Sequence, residues 1–137
     1  MKKILIICTG NSCRSQMAEG WLRFLTPNHY IYSAGTNPEP VNKYAVLVMK
    51  KVGIDISNHT SNNVHDYLDI SFDYIITVCD SAKEKCPVFS GNGHMIHHSF
   101  IDPAKARGSE EELNDIYTAV RDDIKQYLES FVKCYLK

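Results

Sequence analysis

The sequence predicts an α/β fold with a mostly parallel sheet. Short apolar runs rich in isoleucine and valine alternate with segments whose apolar residues follow a helical period. Most of these segments end at turn-forming glycine, asparagine or proline residues. Apolar residues make up 44% and charged residues 23% of the 137 residues, as in ordinary soluble globular proteins. We therefore expect a single domain that spans residues 1–137.

The first half of the chain predicts two strands and two helices in alternation. The isoleucine-rich run near the start predicts a buried strand, which ends near Gly10 and Asn11, residue types that tolerate left-handed backbone. An apolar stripe then predicts a helix that stops before Pro27. A second short strand follows, and then a helix closed by Gly53. In order, the predicted ranges are residues 2–8, 16–25, 30–34 and 41–52.

The second half predicts a short helix, a central strand rich in β-branched residues, a fourth strand and a long helix. Ser109 followed by Glu112 forms the capping-box pattern at the start of the long helix. Parallel sheets bind ligands beyond the carboxyl ends of their strands, and Cys8 and Cys79 both end apolar strands. In order, the predicted ranges are residues 64–68, 72–79, 95–98 and 109–136.

The charge and the cysteine content exclude several classes of protein. Fifteen Lys and Arg against sixteen Asp and Glu give a net charge of -1, so no basic field draws the chain to nucleic acid or to anionic membrane. The apolar runs are too short to span a bilayer. Five cysteines at spacings that fit neither zinc knuckles nor a disulfide scaffold are typical of a reducing compartment. We expect a cytoplasmic monomer without structural zinc.

The loop between the first strand and the first helix predicts a binding site for a tetrahedral oxyanion. Its small residues turn backbone N–H groups inward at a helix N-terminus, and Arg14 adds a planar fork of donors. Cys8 lies where its thiolate could attack the bound central atom, and Ser15 could donate a hydrogen bond to that thiolate. The predicted oxyanion-binding residues are Thr9, Gly10, Asn11, Ser12, Cys13, Arg14 and Ser15.

This octapeptide, residues 8–15, resembles the active-site loop of the low-molecular-weight protein tyrosine phosphatase superfamily, which includes thiol-dependent arsenate reductases. The resemblance implies a three-layer sandwich with a four-stranded parallel sheet and a covalent thiol–oxyanion intermediate on Cys8. It also implies that Asp102 is the general acid. Further matches run nearly from end to end: Gly20-Trp21, Tyr32 to Gly35, Ile56 to Ser61, Asp102-Pro103-Ala104, Ser109 to Glu112 and Val120 to Asp122.

Two more cysteines favour the arsenate reductase branch of this superfamily. Residues 77–89, which include Cys79 and Cys86, resemble the redox segment of the thioredoxin-coupled arsenate reductases. Ala104 and Lys105 stand where the phosphatases usually carry tyrosines. The resemblance implies that a Cys8–Cys79 disulfide forms as arsenate is reduced to arsenite. It also implies that Cys86 then converts this bond to a Cys79–Cys86 disulfide, which thioredoxin reduces.

Two other functions remain open from the sequence. A protein tyrosine phosphatase would use Cys8, Arg14 and Asp102 and have no need of the other thiols. A non-enzymatic oxyanion-binding or redox-sensing module is the third possibility, although nucleophile, arginine and acid are all present. In the reductase reading, a helix over residues 80–86 would have to unwind, because seven helical steps span about 10.5 Å whereas disulfide-bonded Cα atoms lie within about 7 Å.

The resemblance also raises the question of a bound cation. Some arsenate reductases of this branch bind potassium at the positions of Asn11, Glu19 and Ser33, but Asn62 stands where those members carry an aspartate. A second candidate is a group of three histidines, which alternation along a strand would divide between two faces. We expect no metal site at these residues: His94, His97 and His98. His59 is expected to support the loop by bonding its backbone.

Overall fold

The computed structural model describes residues 1–136, and its centre is a four-stranded sheet in the order β2-β1-β3-β4. All three strand pairings are parallel. The strands are β1 (Lys3–Cys8), β2 (Tyr30–Gly35), β3 (Tyr74–Thr77) and β4 (His94–His97). The predicted α/β fold with a four-stranded parallel sheet is confirmed.

Helices connect these strands and cover the sheet. The α-helices are α1 (Arg14–Leu25), α2 (Lys43–Lys50), α3 (Asp80–Lys85) and α4 (Glu110–Tyr135), and two 3₁₀ turns occupy Val64–Tyr67 and Pro103–Lys105. The side chain of Ser109 and that of Glu112 form the predicted capping box at the start of α4. Helix α1 packs against α2 and α4, whereas α3 contacts β1 and β3. No helix within residues 1–136 is long and apolar enough to cross a membrane.

The central strand β1 is covered on both faces. Its residues Ile4 to Ile7 have no solvent-exposed surface, although successive side chains of a strand point to opposite faces. Both faces of the sheet are therefore packed around β1, whereas the edge strand β4 is partly exposed, and the layers form the three-layer sandwich that the family resemblance implies. Such a sheet leaves its strand ends as the accessible places for chemistry.

Two predicted elements are two residues shorter at each end in the structure. The predicted strand over residues 72–79 is paired only from Tyr74 to Thr77, because Cys79 turns away to become the N-terminal cap of α3. The helix predicted over residues 41–52 is shorter, because the side chain of Asn42 accepts hydrogen bonds from two backbone N–H groups and starts α2 at Lys43.

Candidate active site

The loop after β1 wraps its backbone around the thiol of Cys8. The Cys8 side chain is 2% exposed, and its Sγ accepts a hydrogen bond from the backbone N–H of Asn11 at 3.2 Å. Asn11 has a φ of 47°, the left-handed conformation expected from its residue type. The loop leads directly into α1 at Arg14, so the N-terminus of that helix adjoins the loop.

Hydrogen bonds from Asn11 determine which way the Ser15 hydroxyl points. The Asn11 Nδ2 donates to Ser15 Oγ at 2.7 Å and to Ser33 Oγ at 2.9 Å. Since Ser15 Oγ accepts from Asn11, its own hydrogen is free for Cys8 Sγ, which lies 3.0 Å away. The structure therefore contains the Ser15–Cys8 contact predicted from the sequence, with Ser15 placed to act as the donor.

The residues suggested for potassium do not fit a cation in this arrangement. The Asn11 carbonyl oxygen accepts from the backbone N–H of Asn62 at 2.8 Å, which leaves the Asn11 amide N–H groups facing Ser33. Ser33 Oγ donates to Glu19 Oε1 at 2.6 Å, and Arg23 Nε donates to Glu19 Oε2 at 2.9 Å. Hard cations need free oxygen lone pairs, whereas this cluster presents N–H groups and already contains the positive charge of Arg23.

Arg23 was not identified from the sequence, although a signal was present. Glu19 and Arg23 are four residues apart on one helix, the spacing at which an acid and a base face each other. The Arg23 guanidinium also donates to the carbonyl oxygen of Ile31 at 2.6 Å, so it joins α1 to β2. This arginine balances the buried Glu19 carboxylate beneath the catalytic loop.

His59 supports the loop through the side chain of Gln16. The expected hydrogen bond from the His59 ring to the loop backbone is absent within residues 1–136. The His59 Nδ1 lies 2.9 Å from Gln16 Oε1, and Gln16 Nε2 donates to the backbone oxygens of Asn11 and Thr60 at 2.9 Å each. Burial lowers the pKa of His59, although the nearby Glu19 carboxylate opposes this shift. The imidazole is therefore mostly neutral at neutral pH, and it holds the Gln16 side chain against the loop.

Arg14 and Asp102 lie together at the mouth of the loop. One Arg14 nitrogen donates to the carbonyl oxygen of Phe100 at 3.1 Å, and the other lies 3.4 Å from Asp102 Oδ2. The second carboxylate oxygen of Asp102 accepts from the backbone N–H of Ala104 at 3.0 Å, which fixes the orientation of the carboxyl group. With Thr9 and Lys105 these side chains line an open cleft above the loop.

A second thiol, that of Cys79, lies against the same loop. Cys79 Sγ is 3.4 Å from Thr9 Oγ1 and accepts from the backbone N–H of Ala82 at the same distance. The side chain is 4% exposed and lines the cleft described above. Cys79 lies close to the loop because β1 and β3 are neighbouring strands and their carboxyl ends meet.

The third thiol lies at the far end of α3. Helix α3 is six residues long, with Cys79 before it and Cys86 after it. All five cysteines are free, so this is the reduced arrangement. Burial raises the pKa of Cys86, so it is a thiol at neutral pH in this arrangement. The helix considered over residues 80–86 is present and is one residue shorter, since Cys86 has extended backbone.

The remaining cysteines lie outside this set of thiols. Cys13 precedes α1, is 4% exposed, and burial raises its pKa far above the ordinary value. The Asp102 carboxylate and the Cys8 sulfur strengthen that shift. Cys134 is exposed on α4. Cys13 therefore behaves as a buried structural residue.

The three histidines of β4 and its end do not gather around a common point. His97 bonds Thr77 and Asp80, whereas His98 stacks on the ring of Tyr127 at 4.2 Å between centroids. Within residues 1–136 no three His, Cys, Asp or Glu side chains form a group that could hold a metal ion.

Gly35 lies directly beneath the catalytic loop, and we predict that Gly35→Ala damages the site. A Cβ at this position would lie 2.6 Å from the Thr9 carbonyl oxygen and 2.8 Å from the Asn11 nitrogen. Both are backbone atoms, so the loop must shift. We expect the thermal midpoint to fall by about 5 °C and turnover to fall about tenfold or more.

Gly10→Ala is the matched control, because it lies in the same loop with ordinary space around the new Cβ. Its nearest neighbours would be side-chain atoms of Glu39 and Ser12 at 3.5 Å. Thermal unfolding and turnover measured on both variants check the prediction. Equal damage in both would show that any added methyl group disturbs the loop and that the contact beneath it is not the cause.

Comparison with known proteins agrees with this geometry over nearly the whole chain. Residues 3–135 match the family described as low molecular weight phosphotyrosine protein phosphatase. The chain is 43% identical over 133 residues to the arsenate reductase of Halalkalibacterium halodurans and 44% identical over 133 residues to that of Bacillus subtilis strain 168, in each case covering 96% of both chains.

Solved structures show the same fold. An arsenate reductase in its phosphate binding state superposes with a TM-score of 0.83 at 28% identity, covering 97% of this chain and 98% of that one. A low molecular weight protein tyrosine phosphatase from T. tengcongensis superposes with a TM-score of 0.81 at 22% identity, covering 97% and 99%, a likeness of fold alone. From its loop, its fold and these relatives, the chain belongs to the low molecular weight phosphotyrosine protein phosphatase family.

Proposed function

We propose that this protein is an arsenate reductase that converts arsenate to arsenite through a relay of three thiols. The observation that carries the proposal is the second thiol, Cys79, held 3.4 Å from Thr9 on the loop that surrounds Cys8. A phosphatase needs only the loop and an acid. Relatives more than 40% identical that are named arsenate reductase support the proposal.

In the first step, the Cys8 thiolate attacks the arsenic atom of bound arsenate. Backbone N–H groups of the loop and the Arg14 guanidinium hold the oxygens. Asp102 donates a proton to the departing hydroxide, which leaves as water. A sulfur–arsenic bond forms and an arsenic–oxygen bond breaks, so arsenic stays pentavalent at this stage.

In the second step, the Cys79 thiolate attacks the Cys8 sulfur. The sulfur–arsenic bond breaks and its electron pair remains on arsenic, which leaves as trivalent arsenite. The two thiols together lose two electrons and become a Cys8–Cys79 disulfide. The Thr9 hydroxyl and the Ala82 N–H, both 3.4 Å from Cys79 Sγ, stabilise the attacking thiolate.

In the third step, Cys86 attacks the Cys79 sulfur and releases the Cys8 thiolate. The product is a Cys79–Cys86 disulfide, and α3 unwinds to bring its two ends together. Gly91, with a φ of 84°, and Gly93 provide turning points beyond the segment. Thioredoxin then reduces this disulfide by thiol exchange. The relay requires reduced thiols, so we place the protein in the cytoplasm. We propose separately that it acts as a monomer.

Phosphate ester hydrolysis is the second candidate function. Cys8, Arg14 and Asp102 form a complete phosphatase site without any contribution from Cys79 or Cys86. The family match supports this reading. We propose it as a side activity, since the same loop binds phosphate and arsenate alike.

The decisive experiment measures arsenate-dependent NADPH consumption with thioredoxin and thioredoxin reductase. Wild type is expected to turn over, whereas Cys79→Ser and Cys86→Ser are expected to fall to the background rate. Cys134→Ser is the matched control, because that thiol is exposed on α4 and outside the relay, and it should keep the wild-type rate.

Two outcomes would contradict the proposal. Unchanged turnover in Cys79→Ser would show that the reduction does not pass through that thiol. Wild type that hydrolyses an aryl phosphate but consumes no NADPH with arsenate would make the protein a phosphatase.

A further inference from the structure

His97 contacts both chain segments that flank Cys79. Its Nδ1 lies 2.8 Å from Thr77 Oγ1, and its Nε2 lies 3.0 Å from Asp80 Oδ1. Thr77 is two residues before Cys79, and Asp80 directly follows it. One imidazole ring therefore joins the end of β3 to the first residue of α3, with the second thiol of the proposed relay between them.

The two contacts differ in how firmly they are held. Thr77 is 2% exposed, and β3 and β4 pair it directly with His97, so this contact lies within the paired strands of the sheet. The Asp80 side chain is 79% exposed and lies in the first turn of a six-residue helix. A neutral ring with its proton on Nε2 donates to Asp80 and accepts from the Thr77 hydroxyl, so both bonds are satisfied together.

We propose that His97 is a positioning residue for Cys79, and that its contact with Asp80 holds α3 in the helical, reduced arrangement. The inference rests on the proposed three-thiol relay and adds to it a residue that none of the three steps above uses. Forming the Cys79–Cys86 disulfide unwinds α3 and draws Asp80 away from His97. The contact thus stabilises the dithiol relative to the disulfide.

The first test is amide hydrogen exchange of residues 80–86 in the fully reduced protein. His97→Phe keeps an aromatic ring on β4 but removes both hydrogen bonds. We expect exchange in α3 to become about two- to fivefold faster, the range that a single, partly exposed hydrogen bond to a carboxylate supplies. His94→Phe is the control on the same strand, because His94 packs against Tyr74 and Tyr135, and it should leave α3 unchanged.

The second test is the equilibrium of the Cys79–Cys86 pair with glutathione. One oxidised glutathione takes two electrons and two protons from the dithiol and gives two reduced molecules. His97→Phe and Asp80→Ala should each shift this equilibrium toward the protein disulfide by about two- to fivefold. The double variant should shift it no further than either single change. Asp80→Asn keeps an oxygen acceptor for His97 and should shift it less than Asp80→Ala.

Three results would overturn the inference. They are wild-type exchange rates in α3 of His97→Phe, an unchanged glutathione equilibrium in both single variants, and additive effects in the double variant. If His97→Phe does not fold, the exposed Asp80→Ala variant carries both measurements. Neither test uses arsenate, so a wild type that cannot reduce arsenate would remove the proposed function while the His97 contact is still judged by its own data.

Discussion

Cys8→Ser is expected to abolish arsenate reduction and phosphate ester hydrolysis together. The substitution keeps the shape of the loop but replaces the sulfur that accepts hydrogen bonds from the Asn11 N–H and the Ser15 hydroxyl. The groups that contact Cys8 Sγ, the Asn11 N–H and the Ser15 hydroxyl, are hydrogen-bond donors. Neither can act as the base that a serine hydroxyl at this position would need. Loss of the covalent step should lower both activities by at least about 10⁴-fold.

Oxyanion binding should survive this change, because the N–H groups and Arg14 remain. Phosphate should still raise the thermal midpoint of Cys8→Ser, with a dissociation constant within about fivefold of wild type. Cys134→Ser, an exposed thiol on α4, is the control for general effects of losing a cysteine. Measurable turnover by Cys8→Ser would mean that another group performs the nucleophilic attack.

The loop was predictable from the sequence because its parts are neighbours in the chain. A buried strand, a turn with Gly10 and Asn11, and a helix starting beside Arg14 together specify a backbone that encloses Cys8. The positive φ of Asn11 and the Ser15 contact follow from the same short segment. Local chain geometry decides such features, so an isolated segment contains the information.

Contacts between distant segments could not be obtained in this way. The Thr9–Cys79 contact joins residues 70 positions apart, and the His97–Asp80 contact joins residues 17 apart. Both depend on the strand order, which brings the ends of β1, β3 and β4 together. The sequence placed His97 in a histidine group that resembled a metal site, and only the sheet shows which side chains it bonds.

The possible potassium site shows that matching residue types do not by themselves predict a bound cation. The matching residue types are present, but Arg23 and the Asn62 backbone already satisfy the oxygens that would bind the ion. A residue type identifies a potential ligand, whereas the hydrogen-bond partners decide whether its lone pairs are free. The Glu19–Arg23 spacing was visible in the sequence and would have indicated the paired carboxylate.

Arg14→Lys is expected to lower kcat/KM for arsenate and for an aryl phosphate by about 10²- to 10³-fold. The change keeps the positive charge and removes the planar fork. In the structure that fork is aimed by the Phe100 carbonyl oxygen at 3.1 Å and by Asp102 at 3.4 Å. A lysine ammonium cannot keep both of these contacts and also bind two substrate oxygens. Loss of the arginine fork should therefore weaken binding of the transition state more than binding of the ground state.

The size of the fall in kcat/KM shows whether the cleft needs the planar shape of the Arg14 side chain or only its positive charge. Arg107→Lys, at an exposed position, is the control for an arginine-to-lysine change and should leave both activities at the wild-type level. Steady-state kinetics over a range of oxyanion concentrations resolve kcat from KM, and we expect a fall in kcat together with a rise in KM. A change below about threefold in Arg14→Lys would show that charge alone is enough there, because loss of an aligned donor costs far more. The backbone N–H groups around Cys8 would then be the principal binding elements for the oxyanion.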